Sequence, residues 1–146
     1  MRSREIVNKI NSLLNQCTYL YAQYAQENRI SYIEMMVLYA LLNTDSPLTQ
    51  MELGAYYGIS KQSVNSAVKK YKTEGFILTV QDEKDKRQKY LKLTSSGEKY
   101  AHSVLDKIMK IEDEVTAILG DKNKAIIDGL EMYNALFEKR LNKKAQ

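Results

Sequence analysis

Between Lys61 and Thr73 the chain interleaves polar side chains with Val64, Ala67, Val68 and Tyr71. At about 100° per residue those four apolar positions, spaced i, i+3, i+4 and i+7, share one face of a helix. The opposite face presents Gln62, Ser66, Lys69 and Thr73, flanked by Ser63, Asn65 and Lys70, with Lys61 at the start of the run. Gln and Asn amides can pair in bidentate fashion with adenine, Lys serves guanine or phosphate, and Ser tolerates several partners. This is the chemistry of reading a nucleic-acid groove, although the same residues could form an ordinary solvated helix face.

A net charge of +4 says little by itself about an anionic partner, but its distribution is informative. From Ser60 to Lys92 nine basic residues (Lys61, Lys69, Lys70, Lys72, Lys84, Lys86, Arg87, Lys89 and Lys92) face four acidic ones (Glu74, Asp82, Glu83 and Asp85), and the remainder of the chain is close to neutral. The basic excess therefore lies in the polar helix and in the segment that follows it.

Other chemistries lack their residues. One histidine, His102, and one cysteine, Cys17, cannot build a disulfide or an ordinary zinc site, and they leave little room for a Cys-His or Ser-His-Asp arrangement. No Gly-rich phosphate loop occurs either. The expectation is a protein that is not an enzyme and carries no metal or cofactor.

The elements that must position the polar helix can be read from periodicity and caps. Ile6, Ile10, Leu13, Leu14, Cys17, Tyr21 and Tyr24 recur every three to four residues and predict one long helix from Arg4 to about Asn28. Ser31 and Glu34 have capping-box form and open an apolar helix to about Asn43, closed by Asp45-Ser46-Pro47. Thr49 and Glu52 repeat the box before a short helix that Gly58 can end, and Ser60 can cap the polar helix that runs to Glu74 and Gly75. Phe76–Gln81, with Leu78 and Val80, and Gln88–Thr94, with Leu91 and Leu93, show period-two spacing and suggest an antiparallel hairpin around the charged connection Asp82–Arg87. Ser95 to Glu98 again matches a capping box, opening a helix with Val104, Leu105, Ile108, Ile111, Val115 and Ile118 as far as Gly120-Asp121. A last helix carries Ile126, Leu130, Tyr133, Phe137 and Leu141.

The fold class is thus mainly α with a small β-hairpin wing: a winged helix-turn-helix flanked by N- and C-terminal helices whose apolar stripes call for a partner subunit. A length of 146 residues suits a single domain. The longest apolar run, the eight residues from Met35 to Leu42, is too short to span a membrane, and the N-terminus lacks a signal core, so a cytoplasmic protein is expected.

Asp85-Lys86-Arg87, followed by Leu91, Leu93-Thr94 and Gly97, is similar to the wing pattern of the MarR family of bacterial regulators. Leu48-Thr49, Leu53, Ile59-Ser60 and Gly75-Phe76-Ile77 also fall at that family's spacing. The resemblance covers nearly the whole chain and implies a homodimeric, sequence-specific repressor of MarR type, bound to an inverted-repeat operator in double-stranded DNA and released by a small ligand. It implies a single domain over 1–146, with a DNA-binding lobe at 30–97 and dimerisation regions at 1–29 and 98–146.

By the same resemblance, Arg87 reaches the minor groove or its phosphates and Asp85 holds the Arg87 guanidinium through a planar ion pair, while Lys84, Lys86 and Lys89 add phosphate contacts. The family often has a basic residue near Leu78-Thr79, which is absent here. The cleft between dimer helices and winged module holds effectors in the family, which makes Tyr21, Tyr32, Met36 and Tyr39 candidates to line a pocket for a small aromatic compound; core packing is their other reading. Cys17 corresponds in region to the reactive thiol of hydroperoxide-sensing members, so a thiol-based oxidation-sensing repressor is an alternative. The interval from Cys17 to Tyr32 looks short for that arrangement, and a place on the apolar stripe suggests a buried, inert thiol. A winged helix that binds another protein and not DNA is the remaining alternative.

Overall fold

The computed structural model describes residues 2–143. In chain order the elements are α1 (Ser3–Glu27), α2 (Tyr32–Leu42), β1 (Leu48–Thr49), α3 (Gln50–Tyr57), α4 (Lys61–Thr73), β2 (Ile77–Gln81), β3 (Lys89–Leu93), α5 (Ser95–Leu119) and α6 (Lys122–Asn142). Two compact units result, Met1–Asp106 and Lys107–Gln146, with the boundary inside α5.

Local chemistry sets most of the helix starts in the first unit. Ser31 accepts from the Glu34 N–H at 3.1 Å while Glu34 accepts from the Ser31 N–H at 2.9 Å, satisfying two donors that the first turn of α2 would leave free. Thr49 and Glu52 do the same for α3. Gly58 stops α3 in the left-handed region at φ 62°, Ile59 N–H returns to the Gly54 carbonyl, and Ser60 then caps α4. α1 ends differently: Arg29, not a glycine, occupies the left-handed position at φ 60°, and Ile30 N–H closes back on the Ala25 carbonyl.

The core of this unit is built from Met35, Val37 and Leu38 of α2, Leu53 of α3, Val64, Val68 and Tyr71 of α4, Ile77, Leu91 and Leu93 of the sheet, and Ala101 and Leu105 of α5. Tyr71 is fully buried, with Phe76 and Tyr100 each 6.2 Å away by ring centroid and stacked on one another at 4.5 Å. From α1, Tyr24 hydroxyl donates to the Val104 carbonyl at 2.6 Å.

The sheet has three antiparallel strands in the order β1-β3-β2. Its register pairs Ile77 with Leu93 and Thr79 with Leu91, so the core face of β2 carries Ile77 and Thr79. Leu78 and Val80, the period-two pair that the sequence offers, lie 40% and 43% exposed on the other face, opposite Lys92 and Tyr90. Both faces of β2 carry apolar residues, and the pairing with buried Leu91 and Leu93 decides which is inward.

The start of α5 also differs from expectation by one residue. Thr94, not Ser95, is the cap: its Oγ1 accepts from the Gly97 N–H at 3.0 Å and donates to the Gly75 carbonyl at 2.7 Å. Glycine at the third helical position cannot complete a capping box. Gly97 is required for another reason: a Cβ built on it would stand 1.9 Å from the Phe76 carbonyl oxygen.

In the second unit the rest of α5 turns through Gly120, at φ 52°, into α6. Ile111, Val115 and Ile118, and Ile126, Ile127, Met132, Leu136, Phe137 and Leu141 of α6, are exposed. In the first unit α1 likewise exposes Ile6, Leu13, Leu14, Tyr19 and Leu20. No helix among the described residues is long and apolar enough to cross a membrane.

Two stability outcomes follow from this packing. Gly97→Ala should lower the unfolding free energy by about 3 kcal/mol, because the backbone of Phe76 must move to admit the methyl group; an unchanged denaturant midpoint would contradict the close approach. The Tyr71 hydroxyl is buried without a hydrogen-bond partner among the described residues. Tyr71→Phe should therefore raise stability by roughly 1 kcal/mol in urea titration, where a loss would point to a bond made by that hydroxyl.

Candidate nucleic-acid interface

α4 is amphipathic as its spacing predicts. Val64, Ala67, Val68 and Tyr71 are buried, and Lys61, Gln62, Asn65, Ser66, Lys69, Lys70 and Thr73 are exposed, with Ser63 half-buried. The helix thus holds itself to the core by one stripe and offers the other side to solvent as a continuous polar surface.

Several of those side chains are already oriented by neighbours. Ser66 Oγ donates to the Gln62 carbonyl at 3.1 Å and Thr73 Oγ1 to the Lys69 carbonyl at 3.0 Å, which leaves each hydroxyl oxygen free to accept. Ser63 is tied to the cap by Ser60 Oγ, which donates to its hydroxyl at 2.8 Å. Gln50, the first residue of α3, donates from Nε2 to Asn65 Oδ1 at 3.2 Å. That bond orients the Asn65 side-chain amide. Sequence reasoning passed over Gln50 because the contact joins two helices fifteen residues apart.

Lys70 is the polar-face residue least free to act. Its Nζ donates to Glu34 Oε1 at 3.0 Å, and this bond is the chief reason its pKa is raised. The other Glu34 oxygen caps α2, so one carboxylate joins the N-terminus of α2 to the far end of α4. A shallow cleft of about 340 Å³ lies between the two helices, lined by Ser31, Glu34, Gln62, Ser63 and Ser66.

β2 and β3 carry the charged connection away from the sheet. Lys84, Asp85, Lys86, Arg87 and Lys89 are all exposed. Asp85 does not pair with the Arg87 guanidinium: its Oδ1 accepts from the Arg87 backbone N–H at 3.0 Å. At a separation of two residues the carboxylate meets the backbone amide first, as in an Asx turn, and the guanidinium has no ion-pair partner among the described residues.

The residues considered for sensing are placed as follows. Met36 is buried, and Tyr21, Tyr32 and Tyr39 are half-buried. None of them lines the cleft between α2 and α4 or a second one of about 410 Å³ bordered by Leu41, Pro47, Tyr90, Leu93 and Glu98. Cys17 is exposed and not buried on its stripe, because α1 in this single chain is uncovered there. The Tyr32 phenol is pushed up chiefly by burial, with a smaller electrostatic influence from Cys17. Among the described residues no group of three or more His, Cys, Asp or Glu side chains is placed to hold a metal ion.

Comparison with known proteins fits this geometry. A sequence model of the MarR family matches residues 30–88. An uncharacterised HTH-type transcriptional regulator of Bacillus subtilis, YwoH, is 30% identical over 126 residues, covering 84% of this chain and 88% of its own. The chain belongs to the MarR family. Among solved structures, NMB1585, a MarR family regulator from Neisseria meningitidis, shares the fold at a TM-score of 0.82, with 24% identity over 94% of this chain and 97% of that one. AbfR, solved overoxidised and bound to DNA, shares it at a TM-score of 0.63, with 19% identity over 92% and 93%. The protein is a MarR-family transcriptional regulator built on a winged helix-turn-helix.

In a MarR-family module the Glu34 link carries a measurable consequence. Glu34→Gln keeps an acceptor for the α2 cap while releasing Lys70, so in mobility-shift titrations over salt the affinity slope should steepen by about one unit. The double variant Glu34→Gln/Lys70→Ala should return the slope to the parental value; equal slopes in all three proteins would show that Lys70 never engages phosphate.

Proposed function

We propose that this regulator is a homodimeric repressor that grips an inverted-repeat operator, placing α4 of each protomer in successive major grooves with centres about one helical turn, or ~10 bp, apart. The observation that carries the reading is the exposed polar face of α4, backed by a fully buried apolar stripe and followed by a wing rich in cations. The DNA-bound state of AbfR, a protein of the same fold, supports it. Gln62, Asn65, Ser66 and Lys69 read base edges, Ser63 and Lys61 flank them, and Arg87 with Lys84, Lys86 and Lys89 engages the minor groove and phosphates. Residues 30–97 form the DNA-binding lobe. Residues 1–29 and 98–146 form the dimerisation regions, where the apolar residues left exposed on α1 and, separately, on α5 and α6 find cover.

A repressor of this kind works in the cytoplasm and is released by a signal. We take that signal to be a small aromatic compound bound near Tyr21, Tyr32, Met36 and Tyr39. Oxidation of Cys17 is the second reading, favoured by the exposure of its thiol. The relatives are transcriptional regulators, which supports a regulatory and not a catalytic role.

Arg87→Ala tests the wing and Asn65→Ala the helix. Arg87→Ala should weaken binding to many sequences and lower the salt slope by about one. Asn65→Ala should cost about 1 to 3 kcal/mol at the preferred site and relax preference at one base pair. Undiminished binding by Arg87→Ala across the salt series would remove the wing from the interface.

A further inference from the structure

The wing tip is six consecutive charged residues, Asp82 to Arg87, a composition that by itself gives a solvated, mobile loop. Its backbone is nevertheless heavily bonded. Asp82 Oδ1 accepts from the N–H groups of Lys84, at 2.6 Å, and Asp85, at 2.8 Å. Asp82 N–H donates to the Gln88 carbonyl at 3.0 Å, and Gln88 N–H donates to the Asp85 carbonyl at 2.9 Å. Gln81 Nε2 donates to the Lys86 carbonyl at 2.6 Å. Of the carboxylates in the loop, only that of Asp82 takes two backbone donors, and it does so at the root of the tip where β2 ends.

We propose that Asp82 is the positioning residue of the wing, its carboxylate folding the charged connection in advance into the conformation that carries Lys84, Lys86 and Arg87. The inference rests on the wing reading given above. Asp82 itself need not touch DNA. Without its two backbone bonds, the residues between Glu83 and Arg87 would be ordered only on binding, at a cost in chain entropy for each one fixed. The two N–H groups hold the Asp82 carboxyl below the usual carboxylate range, with the Tyr90 hydroxyl as a weaker third influence, so the accepting form prevails at neutral pH.

Charge and position predict opposite signs, which makes the role testable. If Asp82 mattered only as a negative charge near phosphate, both Asp82→Ala and Asp82→Asn would tighten DNA binding. As a positioning residue, Asp82→Ala should weaken operator affinity about tenfold, with the melting temperature little changed because the loop is exposed. Asp82→Asn keeps the side-chain oxygen and should bind at least as tightly as the parent. In an Arg87→Ala background the loss from Asp82→Ala should shrink, since it acts through the groups it places. In the free protein, the Lys84 and Asp85 amides should exchange faster in Asp82→Ala and not in Asp82→Asn. Affinity unchanged or tightened in Asp82→Ala, while Arg87→Ala binds weakly, would overturn the proposal. If Arg87→Ala bound as tightly as the parent, the wing reading would be at fault. Amide exchange in the free protein would then still decide whether Asp82 sets the loop, and unchanged exchange would overturn that too.

Discussion

The first unit depends on one close approach, that of Gly97 to the backbone of Phe76. At this point the chain leaves α4, enters β2, and after the wing returns through β3 to start α5. Thr94 locks the crossing from the returning side: its N–H donates to the Phe76 carbonyl and its hydroxyl to the Gly75 carbonyl, while the same oxygen caps the Gly97 N–H. Any side chain at position 97 would push the first turn of α5 away from this junction. The end of α4, the root of the wing and the beginning of α5 are therefore set against one another by backbone contacts. This gives a physical reason for the Leu93-Thr94-x-x-Gly97 spacing.

With the junction fixed, the direction in which α4 and the wing point is no longer free, and what remains is the order of their side chains. Here the structure uses short polar bonds more than charge pairs. Gln50 holds Asn65, Ser60 holds Ser63, and Asp82 and Asp85 hold backbone amides of the wing. These bonds lie at the surface, so each is worth little to global stability. Their effect is on the number of conformations that a binding partner would have to select. Lys70 shows the other side of the same economy, since the carboxylate that steadies it also competes with phosphate for its charge.

The parts legible in the sequence were those specified within a few residues. Two capping boxes, the left-handed Gly58 and the apolar stripe of α4 are i, i+3 or i, i+4 features, and each stands where its spacing predicts. What local spacing did not reveal mostly involves partners distant in sequence. β1 is two residues long and exists through pairing with β3, so no local signal announces it. Leu78 and Val80 have strand spacing, but which face of β2 goes inward depends on register with Leu91 and Leu93. Thr94 displaces Ser95 as the cap because Gly75 and Gly97 converge on its hydroxyl. The bond from Asp85 to the Arg87 amide, though local, was hidden by the more familiar pairing of opposite charges.

The flanking helices show how far periodicity alone carries. Along α5 the apolar positions keep one spacing, yet Val104, Leu105 and Ile108 are buried whereas Ile111, Val115 and Ile118 are not. Nothing in the pattern changes between the two sets. The exposed set therefore has the sequence of a buried face without the burial, and the same holds for Leu13 and Leu14 of α1 and for Ile126 and Phe137 of α6. Large apolar side chains repeated at helical spacing lose free energy to water at each position, by about 25 cal/mol for every Å² left uncovered. A second copy supplies matching stripes without any further sequence, which makes the proposed homodimer the simplest way to complete what the periodicity encodes.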